Sequence, residues 1–79
     1  MTYEITLYNS ALDVHVVVKN MFLDYALRDA AKLAKLDFKL SFGYIDIPED
    51  QRSATTPSGV WYDGYTLEEL GNKMREFRL

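Results

Sequence analysis

The sequence predicts a single α+β domain spanning residues 1–79, in which two helices pack on one face of a small antiparallel or mixed sheet. Two segments alternate apolar and polar residues as strands do, and two others repeat apolar residues at helical spacing. A chain of 79 residues supports one domain, and its 48% apolar content is typical of a protein with a packed core. The predicted order of elements is β-β-α-β-β-α.

The first two strands are predicted to form an antiparallel hairpin. Residues Thr2 to Tyr8 place Tyr3, Ile5 and Leu7 on one face, with polar side chains between them. Residues 9–13 contain turn-forming side chains, and the β-branched run from Val14 to Lys19 suits a second strand.

A helix is predicted from Asn20, as its N-cap, to about Leu36. Asp24 and Arg28 stand at a spacing that allows an ion pair on its outer side. The apolar residues at helical spacing form its predicted buried stripe: Leu23, Ala26, Leu27, Ala30, Leu33 and Ala34.

The third strand is predicted over residues 38–47. Phe38, Leu40, Phe42 and Tyr44 share one face, after which the alternation reverses, and Gly43 is the expected position of a bulge. Residues 48–59 are polar, contain two prolines and are predicted to form a mobile loop.

A short strand at Val60–Tyr62 and a turn at Asp63-Gly64 precede the second helix. Thr66 and Glu69 have the spacing of a capping box, which predicts the start of that helix. Its apolar face consists of Leu67, Leu70, Met74 and Phe77.

Several classes of function find no support in the residues. Without cysteine there is neither a thiolate zinc site nor a thiol nucleophile, and His15 is the single histidine. Neither a nucleophile elbow nor a phosphate-binding glycine loop occurs. We therefore expect a non-enzyme without cofactor or metal. Since no run approaches a membrane span and the first residues lack the basic start of a signal peptide, we also expect a cytoplasmic protein without membrane contact.

The charge is concentrated in the second half of the chain. Residues 46–70 contain six acidic side chains against Arg52 alone, a net charge of −5. This disfavours phosphate binding and favours a protein partner with a basic surface. Because tyrosine and tryptophan dominate interaction hot spots, the predicted protein-binding residues are Asp46, Glu49, Asp50, Trp61, Tyr62, Asp63 and Tyr65. The alternative is that the aromatic residues belong to the core and the acids are merely solvated.

A second candidate surface is basic. Arg28, Lys32, Lys35 and Lys39 could contact nucleic acid, or could form the ordinary solvated face of an amphipathic helix. We expect nucleic-acid binding to be the weaker alternative, because acidic residues interrupt this stripe.

Two resemblances bear on function. The segments Ile45-Asp46-Ile47-Pro48 and Asp63-Gly64-Tyr65-Thr66-Leu67-Glu68-Glu69-Leu70 resemble a pattern of HicB-type antitoxin domains, although here the loop between them is longer and Glu49 replaces a glycine.

In size, acidic charge and architecture the chain also resembles small phage-borne anti-CRISPR proteins. That resemblance implies a stoichiometric inhibitor that binds a CRISPR effector complex in the bacterial host cell, with carboxylates standing in for phosphates.

The short strand Val60–Tyr62 is a candidate sheet edge for pairing across a homodimer.

Overall fold

The computed structural model describes residues 1–79 and has the predicted order of elements. The four strands form one antiparallel sheet in the spatial order β2-β1-β3-β4. The strands are β1 (Thr2–Asn9), β2 (Val14–Asn20), β3 (Lys39–Asp46) and β4 (Gly59–Asp63), and the helices are α1 (Leu23–Ala34) and α2 (Leu67–Glu76). The predicted α+β fold class is confirmed, and the sheet is antiparallel throughout.

Both helices pack on the same face of the sheet and enclose one core. Every second residue of β1 points into it, because side chains alternate along a strand. The buried apolar side chains are Ile5, Leu7, Ala26, Ala30, Ile45, Ile47, Leu70 and Met74. The other side of the sheet carries no helix and is called the open face below.

The bulge in β3 is at Ser41, so the predicted position at Gly43 was wrong. Thr6 pairs with Phe42 and the next residue, Leu7, pairs with Leu40, which leaves Ser41 as the extra residue. The alternation therefore reverses before Phe42. As a result Leu40 lies on the helix side, whereas Phe42 lies on the open face, and the prediction that they share a face was also wrong.

Gly43 has a different role, which is to let α2 approach the sheet. A β-carbon at this position would lie 2.7 Å from Leu70 Cδ1 and 2.7 Å from Met74 Cε. Such distances are too short for non-bonded carbon atoms, so a side chain at residue 43 would displace the helix or its core residues.

Helix α1 begins later than predicted. Asn20 still belongs to β2, where it pairs with Tyr3, and the N-cap position is occupied by Phe22 without a side-chain hydrogen bond. The Asn20 side chain instead accepts a hydrogen bond from the Phe22 backbone N–H at 2.8 Å, in the turn before the helix. The helix ends at Ala34, which is exposed, and not at Leu36.

The predicted ion pair on α1 is replaced by one between the helices. Asp24 accepts from Arg75 of α2 at 3.1 Å, and both side chains are largely exposed. Arg28 lies over the ring of Tyr25, with its guanidinium carbon 5.3 Å from the ring centroid. Because α2 lies beside α1, Asp24 pairs with Arg75 of α2 and not with Arg28 of its own helix.

The local prediction at the start of α2 agrees with the structure. The Thr66 hydroxyl accepts from the Glu69 backbone N–H at 3.2 Å, and the Glu69 carboxylate accepts from the Thr66 N–H at 3.0 Å, which confirms the capping box. The segment predicted as a polar loop contains a 3-10 turn at Glu49–Gln51. Its mobility stays a prediction.

Neither α1 nor α2 has the length and apolar character of a membrane-spanning helix.

Candidate protein-binding surface

The open face presents an aromatic cluster on its β3–β4 half. Phe42 and Tyr44 point to this face because of the bulge at Ser41, and register pairs Tyr44 with Trp61 of β4. The Trp61 ring centroid lies 4.4 Å from that of Tyr44 and 5.3 Å from that of Phe42. We call Phe42, Tyr44 and Trp61 the Trp61 cluster.

Trp61 is 67% exposed although it contacts two aromatic rings. Both rings belong to the neighbouring strand β3, and about two thirds of the Trp61 surface remains open to solvent. An indole held in this way offers a large apolar contact area whose orientation is already restricted, so little side-chain entropy remains to be lost on binding.

Carboxylates lie beside the Trp61 cluster on the same face. Asp63 is two residues from Trp61 along β4 and stands opposite Phe42, and Asp46 stands opposite Gly59 at the other end of the strand pair. The single ion pair of the chain joins Arg75 to Asp24, so neither of these carboxylates has a cationic partner. The surface around Trp61 therefore carries uncompensated negative charge.

Glu49 and Asp50 extend this charge beyond the sheet. Both are exposed and belong to the 3-10 turn that follows β3. The nearby Arg52 uses its Nε to donate to the Ile47 carbonyl at 2.9 Å, which ties the cation to the backbone at the start of the loop. Ile47 in turn donates its N–H to the Ser58 carbonyl at 3.1 Å, so the two ends of the loop are joined.

Two of the predicted binding residues lie on the helix side. Tyr62 pairs with Gly43, packs against the core together with Tyr65 and is half-buried. Burial raises the pKa of the Tyr62 hydroxyl above its ordinary value of 10.0, with further contributions from Tyr3, Tyr65 and Glu76. The structure thus brings Trp61, Asp46 and Asp63 together on the open face and separates them from Tyr62 and Tyr65.

The four basic residues of the alternative surface are also separated. Arg28 and Lys32 are exposed on α1, and Lys35 is exposed at the C-cap of that helix, all on the helix side of the sheet. Lys39 pairs with Tyr8 and therefore lies on the open face. A continuous basic stripe through all four residues does not form.

His15 lies on the open face of β2, where its ring is 4.5 Å from that of Tyr8. The Tyr8 hydroxyl donates to Asp13 at 3.0 Å. No three histidine or carboxylate side chains converge in an arrangement that could hold a metal ion. The contacts of His15 are those of a cross-strand aromatic pair.

An apolar patch at the start of α1 was missed by the sequence predictions. Met21, Phe22 and Tyr25 are 69%, 62% and 51% exposed, and the rings of Phe22 and Tyr25 meet edge to face at 5.9 Å. A groove of about 620 Å³ runs beside them and reaches Tyr3 and Arg75. The signal for it in the sequence is that Tyr25 falls outside the apolar stripe of its own helix.

No protein-family model, curated protein or solved structure matches this chain.

Proposed function

We propose that the chain is a non-catalytic inhibitor that binds a protein partner through the Trp61 cluster and the four carboxylates of Asp46, Glu49, Asp50 and Asp63. The observation that carries the proposal is the 67% exposed Trp61, supported by Tyr44 and flanked by unpaired acids. Trp and Tyr are enriched among the residues that dominate binding energy, whereas carboxylates around them accelerate encounter with a basic surface.

The partner class follows from the charge. Proteins that bind nucleic acids carry clustered lysine and arginine, and carboxylates on a rigid scaffold can occupy the positions where phosphates would bind. We therefore place the partner among the nucleic-acid-targeting defence complexes of bacteria, in line with the resemblance to anti-CRISPR proteins. An acidic ligand in the nucleic-acid channel of such a complex would compete with its substrate.

The proposal is tested by affinity capture from a nuclease-treated bacterial lysate, followed by measurement of binding and nuclease activity with the purified captured protein. Trp61→Ala should weaken binding about 30-fold, the effect of losing a hot spot of about 2 kcal/mol. Neutralisation of Asp46, Glu49, Asp50 and Asp63 to the corresponding amides should slow association and reduce its salt dependence.

A matched control changes the net charge equally elsewhere. The amide variant of Asp29, Asp37, Glu68 and Glu76 neutralises four acids that lie outside the proposed surface, so it should bind and inhibit as the wild type does. If both sets of substitutions weakened binding and inhibition equally, the effect would be one of net charge, and the assignment of the binding surface would be contradicted.

Binding to nucleic acid would contradict the proposal as a whole. The relevant measurement is the affinity of the chain for fluorescent duplex and single-stranded oligonucleotides at low salt. If the chain binds oligonucleotides, and alanine at Arg28, Lys32 and Lys35 abolishes this binding, the alternative function of nucleic-acid binding through the basic residues would be established instead.

A further inference from the structure

Strand β2 is a long and unprotected edge of the sheet. It comprises the seven residues Val14–Asn20, pairs with β1 on one side and has no strand on the other. Its outer backbone N–H and C=O groups are therefore free to pair with another strand. Edges are usually blunted by proline, charge or a bulge, but this one has no proline and a single charged residue, Lys19.

Exposed apolar side chains are concentrated along the same edge. Of the nine large hydrophobic residues that are exposed in this chain, five fall between residues 12 and 22. They occupy the turn before β2, the strand itself and the turn after it, and are Leu12, Val14, Val17, Met21 and Phe22. Neither the fold nor the proposed binding surface accounts for them.

These positions match one another under two-fold symmetry. When two copies of β2 lie antiparallel with Val17 opposite Val17, the strands overlap over their full length. Leu12 of one copy then reaches the level of Phe22 in the other. Each exposed apolar end of β2 thus meets the opposite end in the second copy, as an isologous interface requires.

The same register agrees with the two faces of the sheet. Val16 stands opposite Val18 on the helix side, and His15 stands opposite Lys19 on the open face. Lys19 therefore does not face its own copy across the interface. Centring the pair of strands on Val16 or Val18 instead of Val17 would leave residues at the ends of β2 without a strand residue opposite them.

The other edge of the sheet is less suited to pairing. β4 has five residues, and the segments beside it, Pro57-Ser58 and Gly64, lack the exposed apolar side chains that flank β2. We infer that a second copy of this chain pairs with β2 in this register and forms one continuous eight-stranded sheet. The inference uses none of the residues of the proposed partner surface, so either can fail without the other.

Disulfide trapping tests the register directly, because the natural chain contains no cysteine. Directly opposed residues of antiparallel strands have α-carbons about 4.5–5.5 Å apart, within the range of a disulfide. Val17→Cys should therefore give a covalent dimer under mild oxidation. Val17 is on the open face and 47% exposed, so the substitution leaves the core intact.

His15→Cys is the matched control. In the proposed register the two copies of residue 15 are four residues apart along the strands, roughly 13 Å, which is too far for a disulfide. His15→Cys alone should stay uncrosslinked, but a mixture of His15→Cys and Lys19→Cys chains should form the mixed dimer. Equal crosslinking of Val17→Cys and His15→Cys would overturn the register.

Analytical ultracentrifugation of the wild-type chain completes the test. We expect a concentration-dependent dimer, which Val17→Lys converts to a folded monomer because it opposes two charges at the centre of the interface. A wild type that stays monomeric at every concentration would overturn the inference, as would a dimer that Val17→Lys leaves unchanged.

Discussion

The ring of Tyr44 lies directly over the backbone of Gly59. A β-carbon at residue 59 would stand 2.0 Å from the Tyr44 hydroxyl oxygen and 2.2 Å from Cζ, closer than any non-bonded contact allows. The glycine therefore provides the space in which Tyr44 rests, and Tyr44 in turn contacts Trp61. The support of the exposed Trp61 thus depends on the absence of one side chain at the start of β4.

Gly59→Ala should move the Tyr44 ring and remove support from Trp61. Because the added methyl group meets a rigid ring, we expect a loss of about 1–3 kcal/mol in the free energy of unfolding. Trp61 is the single tryptophan, so its emission reports the change directly. The exposed neighbour Ser58→Ala is the control, and unchanged emission and stability in Gly59→Ala would contradict the role assigned to this contact.

Gly43→Ala tests the approach of α2 to the sheet. The new methyl group would meet Leu70 and Met74, and urea unfolding should show a loss of about 1–3 kcal/mol. Met74→Ala alone should cost about 2–5 kcal/mol through the cavity that it leaves. In the double variant the new methyl group occupies part of that cavity. The double variant should therefore lose less free energy of unfolding than the two single variants lose in sum. Simple additivity would refute the contact.

Ionisation of the Tyr62 hydroxyl should lower the free energy of unfolding in alkaline solution. Its folded-state pKa is raised above 10.0, so the folded chain holds this proton more tightly than the unfolded chain does. The corresponding stabilisation is fully present below pH 10 and is lost as the pH rises through the folded-state pKa. Tyr62→Phe should match the wild type in urea unfolding at pH 7 and lose less stability above pH 10. Parallel alkaline losses in the two proteins would contradict this expectation.

Glu69 gives the opposite pH dependence at the start of α2. Hydrogen bonds from the Thr66 backbone and side chain hold the pKa of the Glu69 carboxyl below its ordinary value of 4.5, with a smaller effect from Lys73. Its stabilisation is present above pH 4.5 and is lost as the pH falls through the folded-state pKa.

Thr66→Ala removes the hydroxyl of the capping box and should raise the Glu69 pKa, as measured by NMR titration of its carboxyl carbon. The lost cap should also lower the free energy of unfolding at pH 7 by about 1 kcal/mol. Thr66→Ser retains a hydroxyl and serves as the control, which should preserve both values. A Glu69 pKa that is the same in all three proteins would mean that Thr66 does not set it.

Two features that depend only on local sequence were predicted correctly, although the local prediction of Asn20 as the N-cap of α1 was wrong. The capping box at Thr66 and Glu69 needs only residues three apart, and the alternation from Tyr3 to Leu7 identifies the buried face of β1 from period alone. The candidate surface was predicted in part. The acidic residues and Trp61 stand out by composition, but Tyr62 and Tyr65 are on the opposite side of the sheet.

The sequence by itself determined the order of elements, the alternation of β1 and the concentration of negative charge, because these follow from composition and short-range spacing. Only the tertiary structure decided which face each side chain of β3 occupies, since one extra residue at Ser41 reverses the alternation and nothing local marks Ser41 rather than Gly43. Likewise, Asp24 pairs with Arg75 because two helices lie side by side, a proximity that spacing along one helix cannot reveal.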